Sequence, residues 1–372
     1  MAEVLKLEFM SEKRQGHGED SPPLLVIDRN IYAVGVFDGM GGGGAATCTS
    51  EFGEEYTKAY VASRIVKDTL YNLITTAPDT ISANNIKKQI ETRFAREKQM
   101  YPAKSSALRG QIVREYPTTL AVTTVKESEK ENCLTVTSYW AGDSRNYLWT
   151  PNSFYQISKD DLNGELDPLE NLRNDAAMSN CVCADSPFTI NAKVFTVKMP
   201  FIVFSATDGC FGYYPTPMHF NYIMQSCLNK SNSMEQWKTN LMEEFAKVAG
   251  DDFSMSLVVV GIFEFEELKQ KFGKTGIVGF DTIRQLQAQT NVLSSILNEK
   301  KEALESAIQV GWNEYKSTYM KLLDSQGKTN PPQEKSEGET TSAATPDTDS
   351  NSGSQNSIQP PPYTNTQKED QC

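Results

Sequence analysis

The sequence predicts an α+β chain in which antiparallel sheets are covered by helices, and three observations carry that expectation. Short β-like runs rich in Val, Ile, Phe and Tyr recur from Leu24 to Phe263. Turns join several of them directly: Leu24–Ile27 and Ile31–Phe37 are parted only by Asp28-Arg29-Asn30, which is hairpin chemistry. Helical windows are grouped apart, whereas a doubly wound parallel sheet would alternate them with strands.

Taken in order, the expected strands are Leu24–Ile27, Ile31–Phe37, Thr119–Val125, Leu134–Ala141, Asn146–Thr150, Lys193–Val197, Phe201–Ala206 and Ser256–Phe263. The expected helices are Ala45–Thr75, Ala83–Met100 and Met234–Val248. A further helix is expected from Asp281, read as its N-cap, to about Leu323. Leu286, Leu293, Leu297, Leu304, Ile308, Trp312, Tyr315, Tyr319 and Leu322 recur there at intervals of three, four and seven, with Gly311 as the weak point. Such a stripe covers either the body of the protein or another chain, and packing on the body is the expectation. Ser325–Cys372 has Ile358 as its only large aliphatic side chain, so it is expected to be disordered. The chain thus divides into 1–265, a helical extension over 266–324, and a tail over 325–372.

Composition excludes several functions. Among 372 residues, 36 Lys and Arg face 48 Asp and Glu, a formal net charge of −12. Nucleic-acid binding is therefore not expected, because phosphate-backbone affinity needs a cationic surface. His17 and His219 are the only histidines, which rules out histidine-rich zinc centres and leaves any hydrolytic chemistry to carboxylates. The N-terminus carries no apolar export segment and no run approaches a membrane span. Seven cysteines, Cys48, Cys133, Cys181, Cys183, Cys210, Cys227 and Cys372, then read as reduced thiols of a cytoplasmic protein.

Four β-like runs end or begin at an aspartate that touches a glycine: Asp38-Gly39, Gly142-Asp143, Asp208-Gly209 and Gly250-Asp251-Asp252. Singly, each pair is ordinary turn chemistry. Gathered at one rim, together with Glu19-Asp20, they would make a nest of carboxylates that is tolerable only with cations between them. Oxygen-only ligation points to magnesium or manganese. Two such ions held close together suit hydrolysis of a phosphate ester.

The order Arg14, Glu19-Asp20, then Phe37-Asp38-Gly39-Met40-Gly41-Gly42, then Thr118-Thr119, then Trp140-Ala141-Gly142-Asp143-Ser144-Arg145, then Ser205-Ala206-Thr207-Asp208-Gly209, then Gly250-Asp251-Asp252 resembles the PPM (type 2C) metal-dependent protein serine/threonine phosphatases. The resemblance runs from about Arg14 to Phe263. It implies a four-layer α-β-β-α sandwich of two antiparallel sheets flanked by helices, here with a C-terminal helical extension. It also implies hydrolysis of phosphoserine and phosphothreonine in proteins by in-line attack of a hydroxide bridging two Mn or Mg ions, without a phospho-enzyme. In this resemblance Asp38 bridges both metals and Gly39 gives a backbone carbonyl. Asp208 and Asp251 ligate the other side, Asp143 serves a third, weaker site in members that have one, and Glu19 reaches the first metal through water. Arg14 matches the arginine that grips the substrate phosphate. Phosphoprotein substrates, and a cognate kinase that makes them, are the partners so implied.

Several positions depart from the family pattern. Arg14 precedes Glu19 by five positions instead of four, so Lys13 or His17 could share its task. Met40 stands where animal members place a histidine, which resembles the bacterial branch. Asp251 and Asp252 are adjacent, and Asp251 has the better offset from its strand. Arg145 reads as structural, and Asp160–Asp185 takes the place of the variable flap. The alternative function is an inactive phosphatase-like regulator that works through the C-terminal helix and tail; retention of the principal aspartates speaks for an enzyme. Oligomeric state stays open.

Overall fold

The computed structural model describes residues 4–44, 46–49, 53–100, 114–128, 132–164, 168–171, 177–273 and 280–326. The chain opens with β1 (Lys6–Ser11), β2 (Leu24–Ile27) and β3 (Tyr32–Val36). A single turn, α1 (Gly41–Gly44), and a small hairpin of β4 (Thr47–Thr49) and β5 (Glu55–Thr57) lead into α2 (Lys58–Thr76) and α3 (Ala83–Met100). Next come β6 (Leu120–Glu127), β7 (Cys133–Ala141), β8 (Arg145–Thr150) and β9 (Ser153–Gln156). The short α4 (Pro168–Asn171), β10 (Asn191–Lys198) and β11 (Phe201–Ala206) follow. After α5 (Asp208–Phe211), α6 (Pro217–Lys230) and α7 (Met234–Ala246) the chain forms β12 (Phe253–Val260), α8 (Phe265–Phe272) and α9 (Phe280–Gln326).

Two five-stranded sheets result, in the orders β1-β12-β11-β8-β9 and β10-β7-β6-β3-β2, and their strand pairings are antiparallel. Period-two alternation assigns the side chains to separate cores. Val203 and Val258 join Val34 and Val136 between the sheets. Their neighbours Ile202, Phe204, Leu257 and Val259 point the other way, into a core with Trp237, Leu241 and Phe272 of α7 and α8. On the opposite flank Val66 and Leu70 of α2 and Ile90 of α3 cover Leu120 and Val122. The layers are therefore α-β-β-α, as the family resemblance implies. Because β11 and β12 are covered on both faces, they read in sequence as unbroken apolar runs instead of alternating ones.

Buried polar groups also tie the sheets together. Asn146 of β8 donates to Ser138 Oγ (2.9 Å) and the Tyr139 carbonyl (2.9 Å) of β7, and accepts from Ser205 Oγ of β11 (2.7 Å). Ser256 of β12 donates to the Leu24 carbonyl of β2 (2.7 Å). Hydrogen-bonded pairs of this kind fix one sheet on the other, because any slip leaves them buried and unpaired.

The expected hairpin of Leu24–Ile27 with the following strand is present, its ends in register at Ile27 and Tyr32. Ala83–Met100 and Phe201–Ala206 also have the expected bounds, while other expected elements are corrected. The window Ala45–Thr75 is not one helix: β4 and β5 occupy its start, turning at Gly53 (φ 82°), and α2 begins only at Lys58. Thr57 caps that helix by accepting the Tyr60 N–H at 3.1 Å, worth about 1 kcal/mol. The strand expected over Ser256–Phe263 is Phe253–Val260, and it stops before Gly261. Asp281 lies within the first turn of α9 and not at a cap position. Strands β1 and β9 and helices α6 and α8 were not expected. The apolar stripe of α9 is formed by Leu286, Leu293, Leu297, Leu304, Ile308, Trp312, Tyr315 and Tyr319, whose side chains are exposed. The tail expected over 325–372 lies almost wholly outside the described residues. Among the described residues no helix is long and apolar enough to cross a membrane, and the cysteines are free thiols.

Candidate metal centre

Sheet register delivers the acids. Val36 pairs with Ala121 and Ala141 with Leu120, so β3 and β7 end side by side across the start of β6. Ala206 pairs with Met255, which sets the end of β11 beside the start of β12. Asp38 and Asp143 thus leave one sheet just past its strand ends, while Asp208 and Asp251 leave the other.

The Asp38 backbone is over-determined. Its carbonyl accepts from Thr118 Oγ1 (2.7 Å) and from the Thr119 N–H (2.8 Å). Its own N–H donates to Thr119 Oγ1 (3.1 Å), which shares a proton with Ser144 Oγ (2.7 Å) beside Asp143. At Gly39, which bridges to Thr118, a Cβ would stand 2.6 Å from the Glu19 carbonyl oxygen and 2.7 Å from that of Ala59. Glycine is required there because three stretches of backbone converge.

Asp252 anchors the loop that carries Arg14 and Glu19. Its two carboxylate oxygens accept from the Lys13 N–H (2.8 Å) and the Glu19 N–H (2.7 Å), and Lys13 Nζ donates to the Gly250 carbonyl. Both oxygens of Asp252 are thereby engaged with backbone. Asp251 is exposed beside it and accepts the Asp252 N–H at 2.9 Å. Glu19 Oε1 accepts from Thr57 Oγ1 (2.6 Å), so the hairpin of β4 and β5 braces this acid as well as capping α2.

The carboxyl groups raise one another. Burial lifts Asp38 well above the usual carboxylate range, and the charges of Asp20, Asp208, Asp143 and Asp251 lift it further. Asp143 is pushed up to about 7 by burial and then by Asp208 and Asp160. Asp208 rises to about 6 through burial and Asp251, held back in part by hydrogen bonds to the Gly209 backbone and the Asp38 side chain. Glu19 is raised by burial, against the hydrogen bond from Thr57, with Asp252 and Asp251 adding to the rise. Acids from both sheets therefore share one electrostatic site.

Asp20, expected in the nest beside Glu19 but given no role of its own, is the most deeply placed acid among the described residues at 1% exposure. Burial and the charges of Asp208 and Asp252 push it up to about 7, and it accepts from Thr207 Oγ1 at 3.0 Å. Arg64 is also new to the site. It stacks on the Tyr60 ring (3.3 Å to the centroid), and its guanidinium approaches the Glu19 carbonyl at 3.4 Å. Arg14 is exposed on the anchored loop, as are Lys13 and His17. Arg145 is buried in a two-point ion pair with Asp160, with contacts of 2.6 to 3.2 Å, and lies 4.1 Å from the Phe211 ring, the arrangement of a structural group. Among the described residues, no three His, Cys, Asp or Glu side chains are set around a common ion position. The nest is defined by the charge coupling among these carboxyl groups.

Two antiparallel sheets with helices outside them make the fold of the PPM-type serine/threonine phosphatases. Among similar solved structures, a bacterial serine phosphatase is 18% identical, with a TM-score of 0.50 over 69% of this chain and 98% of its own. The serine/threonine phosphatase Stp1 from Staphylococcus aureus is 17% identical, with a TM-score of 0.51 over 70% of this chain and 96% of its own. No sequence model of a protein family matches the chain, and no curated protein matches it.

Proposed function

We propose that the segment 1–265 is a metal-dependent phosphatase acting on phosphoserine and phosphothreonine in proteins, with Mn2+ or Mg2+ as its ions. The observation that carries this reading is the strand register that brings Asp38 and Asp143 from one sheet and Asp208 and Asp251 from the other to a common rim. A donor set made only of oxygen, strongly self-repelling and held on rigid strand ends, fits hard divalent cations and not zinc. When bound, such ions supply charge neutralisation for the phosphoryl group and acidify water.

The chain's own residues divide the remaining work. Asp38, with two threonines fixing its backbone, is assigned the bridging position, and the Gly39 carbonyl lies next to it. Asp208 and Asp251 are assigned the opposite side of the pair, Glu19 an outer position on the first ion, and Asp143 a third, weaker site. Asp251 is preferred to Asp252 because both oxygens of Asp252 already hold the loop. Arg14, carried on that loop, is assigned to orient the substrate phosphate by bidentate donation. Cytoplasmic phosphoproteins, with a cognate kinase as their source, are the proposed partners.

The test is hydrolysis of a phosphothreonine peptide by the full chain, with manganese or magnesium added and then removed by chelation. Turnover that appears with the metal and vanishes with the chelator is expected. Folded protein that takes up manganese by calorimetry yet releases no phosphate would instead support the regulator reading.

A further inference from the structure

The turn that carries Asp251 has a neighbour besides the Arg14 loop. Tyr213 follows the short α5 that Asp208 opens. Phe211 and Tyr214 on either side of it are buried in the core beneath α6 and α7, whereas Tyr213 is 44% exposed. Its ring lies against Gly250: a Cβ added there would crowd Cε1 and stand 2.7 Å from Cζ and 2.8 Å from Oη. Only a glycine lets the hydroxyl end of this phenol rest on the turn, one residue before Asp251. The Gly250 carbonyl also accepts from Nζ of Lys13, the residue before Arg14. Tyr213 and the Arg14 loop therefore meet the same short stretch of backbone.

Chemistry identifies what this hydroxyl can hold. The carboxylates of the rim accept hydrogen bonds and repel anions, whereas a phenol is a neutral donor. Burial and the charges of Asp208, Asp251 and Asp38 make the Tyr213 proton harder to remove, so the donor persists into alkaline solution. Among the described residues Oη has no hydrogen-bond partner, which leaves its proton free for a ligand. A phosphoryl group brings three charged terminal oxygens, and donors bind such oxygens more strongly than neutral ones.

We propose, resting on the phosphatase reading above, that Tyr213 is a substrate-binding residue whose Oη–H donates to a terminal oxygen of the phosphoryl group. Tyr213→Phe keeps the ring on Gly250 and deletes only the donor. In the full-length protein with Mn2+, that variant should bind inorganic phosphate about tenfold more weakly by calorimetry. Its KM for a phosphothreonine peptide should rise by a similar factor. Manganese affinity and melting temperature should stay as in wild type, because the hydroxyl holds nothing in the fold. Equal phosphate affinity in Tyr213→Phe and wild type would overturn the proposal, whether or not Tyr213→Ala is impaired, since the ring alone would then be at work. So would a parallel loss of manganese affinity, which would make Tyr213 a support for the ions, or a wild-type chain that takes up manganese but no phosphate. The phosphatase reading fails on a different result: a wild-type chain that binds manganese and phosphate yet hydrolyses no phosphopeptide. The comparison of phosphate affinities still decides the role of Tyr213 in that case.

Discussion

Asp252 accepts the backbone N–H of Glu19 at 2.7 Å across 233 positions of sequence, joining the turn before β12 to the loop after β1. With the Lys13 N–H on its other oxygen, this one carboxylate fixes the segment that carries the proposed phosphate-binding arginine. Charge-assisted bonds of this kind are worth about 1.5–3 kcal/mol each. In Asp252 part of that is offset by repulsion from Asp20 and Glu19.

For Asp252→Ala we therefore expect a net loss of about 1–2 kcal/mol, read as a fall of a few degrees in melting temperature. Turnover should fall through a higher KM for phosphopeptide, because Arg14 loses its platform. An unchanged KM would separate the loop from substrate binding.

Asp38→Asn should behave in the opposite sense for stability. Removing the most strongly raised carboxylate relieves repulsion, so the metal-free melting temperature at pH 8 should rise. Metal-stimulated turnover should fall on the order of 10³-fold. Near-normal turnover would show that the bridging assignment is wrong.

The raised acids also fix a sign for pH. Asp20 and Asp143 near 7 and Asp208 near 6 bind protons more tightly folded than unfolded, where each has the usual value of 3.8. Metal-free stability is then greatest below about pH 4 as far as these groups decide it, and declines as pH rises through 6 to 7. Melting curves of chelator-treated protein should show higher stability at pH 5.5 than at pH 8. Added Mn2+ should raise the melting temperature more at pH 8, where the carboxylates are ionised. Equal stabilisation at both values would place the cation elsewhere.

Arg145 and Asp160 form a buried ion pair, their side chains 2% and 3% exposed. Arg145→Met strands a buried carboxylate and should cost about 3–5 kcal/mol. Adding Asp160→Leu should recover most of it, as thermal or urea unfolding would reveal. If the single variant is as stable as wild type, water reaches Asp160 and the pair is not what holds the segment after β9.

Much of this was legible in advance because the signals were local. Unbroken apolar runs such as Phe201–Ala206 mark strands covered on both faces, and Ala83–Met100 is bounded as its periodicity implies. Aspartates beside glycines at strand ends announced the rim. What stayed hidden depended on partners far along the chain. Asp20 looks like Glu19 in sequence, and only packing against Thr207 and Asp208 shows it to be the deeper of the two. Arg64 sits among ordinary helix residues until Tyr60 and the Glu19 carbonyl surround it. Thr216-Pro217 is a cap followed by an N1 proline, a signal that could have located α6. Tyr213, Tyr214 and Pro215 just ahead of it carry no helical periodicity. Strands β4 and β5 were masked by a helix-compatible stretch whose turn depends on Gly53.

The carboxylates are divided between the two sheets, with Asp38 and Asp143 on one and Asp208 and Asp251 on the other, while apolar contacts and a few buried amides and hydroxyls set how the sheets lie. If the proposed ions bind at this rim, their affinity would read out the alignment between the two sheets. Substitutions at Asn146 or Ser205, well inside the sandwich, should detune the cation site without touching a single ligand, and a denaturant that lets the layers slide should release the ions in the same step.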